Sequence, residues 1–135
     1  MTIATVMIHL LGLAILVRLL KLGHGATPWR RSTPLALLLA GTLGLFATHT
    51  VEIWLYAALY LVLGSGFDFE TSLYFSTVTY ASVGYGDVLP PAQWRIVAAI
   101  EGATGIMMLG WSTAFLVSLL AQLKLLSHDW LSPQR

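Results

Sequence analysis

Three long apolar stretches constrain the fold of this chain more than any other feature of its sequence. They cover residues 3–22, 34–63 and 92–126. A helix needs roughly 20 apolar residues to cross a hydrocarbon core, so each stretch is long enough to span a membrane. The composition agrees, because 57% of the 135 residues are hydrophobic, 10% are charged and the mean hydropathy is +0.79. These values lie outside the range of ordinary soluble domains, and the sequence predicts a single all-α membrane domain over residues 1–135.

A shorter segment lies between the second and third stretches, over residues 68–81. Its apolar part is about a dozen residues, which is too short to cross a membrane and suits a re-entrant helix. Asp68 and Glu70 stand at its start, where acidic groups interact well with a helix dipole. Glycines in residues 64–66 and prolines at 90–91 bound the region. The sequence therefore predicts a helix that enters and leaves the membrane on one side.

The charged residues predict how the chain is oriented. The linker region between the first two helices has only basic charges, at Arg18, Lys21, Arg30 and Arg31. The side with the re-entrant segment is mostly acidic, with Asp68, Glu70 and Asp87 against Arg95. Because basic loops remain in the cytoplasm, we expect a cell-membrane protein with its amino-terminus outside and its carboxyl-terminus cytoplasmic, ending in a short tail over residues 127–135.

The composition also excludes several classes of function. The absence of cysteine excludes disulfides and thiolate metal sites, and a formal net charge of +1 offers no basic surface for nucleic acid. The sequence has no nucleophile paired with a base, no phosphate-binding loop and no paired catalytic carboxylates. We therefore expect a protein that is not an enzyme, uses no cofactor and contacts membrane lipid.

Residues 82–87 follow the re-entrant helix and carry the chemistry. Non-helical backbone at membrane depth must be buried in protein or face water, because unpaired peptide groups in lipid cost several kcal/mol. A row of carbonyls directed at one axis can replace the hydration shell of a cation. Such a row needs backbone angles that strain residues with a Cβ, and Gly84 and Gly86 relieve that strain. Val83 and Tyr85 then project backward as packing groups.

The stretch from Thr79 to Asp87, which reads Thr-Tyr-Ala-Ser-Val-Gly-Tyr-Gly-Asp, resembles the signature of the potassium channels. The resemblance covers residues 35–126 and implies an outer helix, a pore helix, a selectivity filter and an inner helix. It implies that K⁺ is the permeant ion, and that Tyr85 favours K⁺ over Na⁺. It also implies a homotetramer, since one filter strand cannot enclose an ion. The implied ion-binding residues are Ser82, Val83, Gly84, Tyr85 and Gly86, with K⁺ coordinated at residues 82–85.

Several residues around the filter depart from the family pattern. Ser82 replaces a threonine but keeps its hydroxyl, and Val78 stands where some bacterial members have a glutamate that bonds to the filter aspartate. Tyr74 and Phe75 replace paired tryptophans, so indole donors behind the filter are missing. Thr79 is still able to buttress the filter tyrosine. The residues expected to support the filter are Asp87, Thr79, Val78 and Tyr74.

Two acidic residues, Glu52 and Glu101, lie inside otherwise apolar helices. A charge at the bilayer centre costs roughly 2.5–3.5 kcal/mol on insertion scales, so both need partners or a proton. Thr48 and His49 share the helical face of Glu52, and Arg95 lies six residues before Glu101. One hypothesis is that an acid braces the pore helix from behind, and another is a proton-sensitive gate. His49 and Glu52 have half the ligands of a metal site, but the spacing of His9, His24 and His128 adds none, and we expect no metal there.

Other features of the helices leave their roles open. Gly105 and Gly110 match the glycine hinge region of the family, yet they equally suit close helix packing. The first helix, which the two-helix pore module lacks, is either a peripheral scaffold or a regulatory element. A rival to ion conduction is a non-conducting membrane subunit that regulates another channel. A nucleotide loop at Gly84-x-Gly86 is disfavoured, because no third glycine accompanies it.

Overall fold

The structure, a computed structural model, describes residues 1–22 and 34–123. Its helices are α1 (Thr2–Leu22), α2 (Pro34–Val62), α3 (Phe69–Tyr80) and α4 (Arg95–Gln122), and a single 3₁₀ turn (Ala92–Trp94) precedes α4. These two ranges contain no β-strand. The expected fold class, three membrane helices with a short helix before the third, is confirmed. Arg30, Arg31, the expected end of the third span at 124–126 and the tail at 127–135 lie outside the described residues.

Three of the helices are long and apolar enough to cross a membrane, judged by length and composition: Thr2–Leu20, Pro34–Val62 and Ala92–Gln122. Both α1 and α4 run antiparallel to α2. His9 of α1 contacts Glu52 and Gly12 of α1 lies against Thr48, so α1 advances as α2 goes back. Tyr60, near the end of α2, contacts Glu101 near the start of α4. The start of α1, the end of α2 and the start of α4 therefore lie at the same end of the helix bundle.

Small residues allow α1 and α2 to approach closely. A Cβ built on Gly12 would lie 2.6 Å from the Thr48 Oγ1 atom, and one built on Gly44 would lie 2.1 Å from the Leu16 Cδ2 atom. Lipid tails are as apolar as leucine, so helices in a membrane associate through this kind of tight packing and through hydrogen bonds. The first helix is thus packed along α2 rather than loosely attached to it.

The short helix α3 lies between α2 and α4, and the buried hydrophobic core forms where the three helices meet. Asp68 caps its start, with the carboxylate accepting a hydrogen bond from the Thr71 amide at 2.8 Å. At about 1.5 Å per residue, 12 residues do not cross a bilayer, so α3 is held by its neighbours. The buried hydrophobic cluster around it comprises Tyr56, Tyr60, Phe75, Tyr80 and Met108.

The end of α3 lies directly on the backbone of α4 at Gly105. A Cβ on Gly105 would lie 2.0 Å from the Tyr80 carbonyl oxygen, which no ordinary contact allows. Gly102 is less crowded, with 3.4 Å from its built Cβ to the Thr79 oxygen, and Gly110 has nothing within 4 Å. Gly105 is therefore required for close packing, whereas a hinge at Gly105 or Gly110 stays a prediction.

Candidate functional site

The segment over residues 82–87 has an alternating backbone conformation. Its φ angles are positive at Ser82 (58°), Gly84 (54°) and Gly86 (77°). Nothing lies within 4 Å of a Cβ built on Gly84 or Gly86, so glycine is favoured at these positions by the backbone angle and not by lack of space. Ser82 adopts the left-handed region with a side chain, at a cost of about 1–2 kcal/mol. The alternation thus begins at Ser82, two residues before the first of the two glycines.

Backbone hydrogen bonds tie the start of this segment to the end of α3. The Ser82 amide donates to the Thr79 carbonyl at 2.9 Å. The amides of Val83 and Gly84 both donate to the Val78 carbonyl, at 2.9 and 3.1 Å. In a planar trans peptide the carbonyl points opposite to the amide N–H, so the carbonyls of residues 81, 82 and 83 point away from α3. Val78 supports the segment through its backbone, although its side chain cannot bond to the aspartate.

A side-chain hydrogen bond fixes the far end of the segment. The Tyr74 hydroxyl of α3 donates to the Asp87 Oδ2 atom at 2.7 Å. This bond lowers the pKa of Asp87 and raises the pKa of Tyr74, because it favours the carboxylate and the protonated phenol. A phenol therefore provides a donor where the sequence lacks an indole. No hydrogen bond joins Thr79 to Tyr85 in the described part of the chain.

The whole segment is exposed in a single protomer. Every residue from 81 to 87 is exposed, with Val83 at 52% and Tyr85 at 72%. Large apolar side chains of α4 are also exposed, including Ile106 at 60% and Met107 at 56%. Exposed large apolar side chains in such numbers are typical of a surface that contacts protein or lipid.

Glu101 is fully buried and links three helices. Its carboxylate accepts a hydrogen bond from the Tyr60 hydroxyl of α2 at 2.7 Å and another from the Ser76 hydroxyl of α3. Arg95 is exposed at the start of α4 and is not a partner of this carboxylate. Glu101 thus joins α4 to the buried face of α3 that carries Ser76.

Glu52 is fully buried in a second cluster, which we call the Glu52 cluster. Glu52 Oε1 lies 3.0 Å from the His9 Nδ1 atom, and Oε2 lies 2.9 Å from the His49 Nδ1 atom. Oε2 also accepts a hydrogen bond from the Tyr80 hydroxyl at the end of α3. The other ring nitrogen of His49 lies 2.8 Å from the Ser112 Oγ atom of α4. The cluster therefore contains side chains from all four helices.

Two sequence interpretations of Glu52 need correction. Thr48 is not its partner, because the Thr48 hydroxyl donates to the Gly44 carbonyl at 3.0 Å. His9 does join His49 and Glu52, and the ligand atoms of the three residues lie within 4.8 Å of one another. The spacing argument failed because residues on different helices meet in space without any sequence spacing between them.

Sequence reasoning also missed Tyr60, Ser76 and Tyr80 as partners of the two acids. A usable signal was present, because a polar side chain within an apolar membrane helix needs a partner nearby. His9 carried the same signal, as a single imidazole in the charge-free run over residues 1–17. What the sequence did not contain was the pairing between helices.

The comparisons with known proteins agree with this architecture. A family model described as Ion channel matches residues 33–122, which cover α2, α3, the segment at 82–87 and α4. Comparison with curated proteins and with solved structures gives no significant match. The matched region is more than half of the chain, and the chain has helices suited to crossing a membrane three times. The protein is thus a multi-pass membrane protein that belongs to the ion channel family.

Proposed function

We propose that the chain is one subunit of a potassium-selective channel in which residues 82–86 form the selectivity filter. The observation that carries this proposal is the backbone of the segment. Its φ angles are positive at alternate residues, and the amides of residues 82–84 are bonded to the end of α3. Carbonyls that point away from α3 can replace the water around a dehydrated K⁺ ion.

The proposed ion sites use the carbonyls of Ser82, Val83, Gly84 and Tyr85 and the hydroxyl of Ser82. The hydrogen bond from Tyr74 to Asp87 supports the outer end, and the Val78 carbonyl supports the inner end. Fixing both ends limits how far the carbonyl ring can contract around a smaller ion such as Na⁺. Passive conduction requires no cofactor, since K⁺ itself is the transported species.

The exposure of the proposed filter supports assembly into a homotetramer. One strand supplies one side of an ion site, and in a single protomer the segment over residues 81–87 is exposed. Four copies around an axis would complete the ring of carbonyls and cover Val83 and Tyr85. The basic linker favours an amino-terminus outside, a filter that opens outward and a cytoplasmic carboxyl-terminus in the cell membrane.

The proposal is tested by ion flux with purified full-length protein in liposomes, comparing K⁺ and Na⁺ gradients. Gly84→Ala should sharply reduce flux, because alanine is strained at a φ of +54° and relieving that strain would move the carbonyls of the proposed filter. Gly64→Ala is a matched control, since Gly64 has a φ of +66°, also has nothing within 4 Å and lies in the turn after α2. We expect K⁺ flux well above Na⁺ flux in the wild type and in Gly64→Ala.

Each other result has a distinct meaning. Equal K⁺ and Na⁺ flux would leave an ion channel and remove the selectivity. No flux from intact tetramers would favour the rival function, a non-conducting membrane subunit. Flux that persists in Gly84→Ala would show that the backbone of residues 82–86 does not line the ion path.

A further inference from the structure

The first helix reaches the end of the pore helix α3 through the Glu52 cluster. His9 is the only member of the cluster from α1, and it is fully buried. Two hydrogen bonds connect α1 to the end of α3: one joins His9 to Glu52, and the other joins Tyr80 to Glu52. Tyr80 is 1% exposed and is followed, after one residue, by Ser82. A helix outside the matched pore region is therefore two hydrogen bonds away from Tyr80, which lies two residues before the start of the proposed filter.

The protons in the cluster can be assigned so that all of its hydrogen bonds are satisfied, including the longer contact of 3.3 Å between His49 Nδ1 and the Tyr80 hydroxyl oxygen. With Glu52 as a carboxylate, both histidines carry hydrogen on Nδ1 and donate to it, and the Tyr80 hydroxyl is the third donor. The Ser112 hydroxyl then donates to the remaining nitrogen of His49. Within the Glu52 cluster, only the Nε2 atom of His9 has no partner among the described residues. Removing His9 takes away one of the three donors that hold this carboxylate in place.

Tyr80 is anchored at two points, which makes its position sensitive to Glu52. Its carbonyl is in contact with the backbone of α4 at Gly105, and its hydroxyl is held by Glu52. The carbonyls of Val78 and Thr79, just before it, accept the amides at the start of the filter. A rotation of the Tyr80 ring and its backbone would therefore move the peptides that direct the first carbonyls of the filter.

We propose that His9 is a positioning residue for the selectivity filter, acting through Glu52 on Tyr80, and that α1 is in this way an integral part of the pore. This inference rests on the proposed function, because it assigns a role in K⁺ selectivity. The three ligand atoms within 4.8 Å could also hold a metal ion. Hydrogen bonds already occupy the Nδ1 atoms of both histidines and both oxygens of Glu52, and exposure to Zn²⁺ separates the two roles.

The test measures the ratio of K⁺ to Na⁺ permeability from reversal potentials of the full-length protein in planar bilayers. His9→Ala should lower the ratio by roughly three- to tenfold, a typical size for effects carried through packed side-chain networks. His9→Asn keeps a donor near the Nδ1 position and should restore most of the ratio. Thr5→Ala is the matched control, because Thr5 is also fully buried on α1 but its hydroxyl bonds only to Met1, the residue just before that helix. It should leave the ratio unchanged.

Tyr80→Phe provides a second route to the same measurement. It keeps the ring and removes the hydroxyl, so it should lower the permeability ratio as His9→Ala does. Because both changes act through Glu52, the double variant should be little worse than the stronger single variant. If His9→Ala does not assemble, the permeability ratio of Tyr80→Phe alone is compared with that of the double variant Tyr80→Phe, His9→Asn, and the two ratios should be similar.

The possible outcomes distinguish this inference from the proposed function. If the wild type conducts no ions or does not select K⁺, the proposed function fails first. If the wild type selects K⁺ and His9→Ala behaves as Thr5→Ala does, only the role of His9 is overturned. Fully additive losses in the double variant would also overturn it. So would a wild-type response to micromolar Zn²⁺ that His9→Ala abolishes, because the cluster would then be a metal site.

Discussion

Replacing Gly105 by alanine would place a methyl group where α3 ends on α4. The built Cβ lies 2.0 Å from the Tyr80 carbonyl oxygen and 2.8 Å from its carbonyl carbon. Ordinary contact begins at 3.4 Å, so the two backbones must separate by about 1.4 Å along this direction. The obstacle is backbone, which cannot rotate away as a side-chain end can. We therefore expect Gly105→Ala to move the end of the pore helix.

The magnitude follows from two opposing effects. Overpacking a close contact costs about 1–3 kcal/mol, and a backbone obstacle favours the upper end of that range. Alanine in a helix interior gains about 0.8–1 kcal/mol over glycine. The net loss for Gly105→Ala is then about 2 kcal/mol. Gly110→Ala meets nothing within 4 Å and should gain up to about 1 kcal/mol instead.

Thermal unfolding of the purified protein in detergent measures this difference in stability, and ion flux measures its effect on the proposed filter. Gly105→Ala should unfold several degrees below Gly110→Ala and lose K⁺ selectivity. Gly102→Ala, with an ordinary 3.4 Å contact, should fall between them. Equal unfolding temperatures for Gly105→Ala and Gly110→Ala would refute the close approach of α3 and α4. Altered flux in Gly110→Ala without a change in stability would favour a hinge at that position.

Three further changes test the contacts around α3. Tyr74→Phe removes the hydroxyl whose hydrogen bond lowers the pKa of Asp87. That bond stabilises the fold fully above the ordinary pKa of an aspartate, and the stabilisation is lost as the pH falls through the lowered pKa of Asp87. Melting temperatures of wild type and Tyr74→Phe should therefore differ at neutral pH and converge in strong acid, and a constant difference would contradict this. Glu101→Ala leaves two buried hydroxyls without an acceptor and should lower the unfolding free energy by about 2–6 kcal/mol, whereas Glu101→Gln should lower it by less than about 2 kcal/mol. Equal losses for the two variants would refute the role of the carboxylate as acceptor. An altered pH response of the currents of Glu101→Gln would favour a proton-sensitive gate. Asp68→Ala should lower the melting temperature more than Glu70→Ala, because only Asp68 caps the helix; equal effects would exclude the cap.

The helices could be predicted because their signals are local. Apolar length alone separates α1, α2 and α4 from the shorter α3, and Asp68 marks the start of α3. The alternating glycines likewise indicate a special backbone at residues 82–86. Ser82 could not be placed in the left-handed region in this way, because serine carries no such preference.

The contacts between helices could not be predicted from the sequence, because they depend on helix rotation and depth. Glu52 and Glu101 were identified as acids that need partners, and their surroundings were not. Arg95 is six residues from Glu101 in sequence, yet the actual partner from α2 is Tyr60, 41 residues away. His9 is separated from Glu52 by 43 residues, so no spacing within one helix reveals the pair.

The rear face of α3 explains why a channel of this kind tolerates two buried acids. Ser72, Ser76 and Tyr80 are spaced four residues apart, so they lie on one face, and all three are buried. Each acid comes from a different membrane helix and receives one of these hydroxyls, Glu101 from Ser76 and Glu52 from Tyr80. Apolar contacts alone would fix the rotation of a short helix poorly, since helices in lipid gain little from burying apolar surface. Directional hydrogen bonds fix both the rotation and the height of α3, and the proposed filter that begins after Tyr80 needs both.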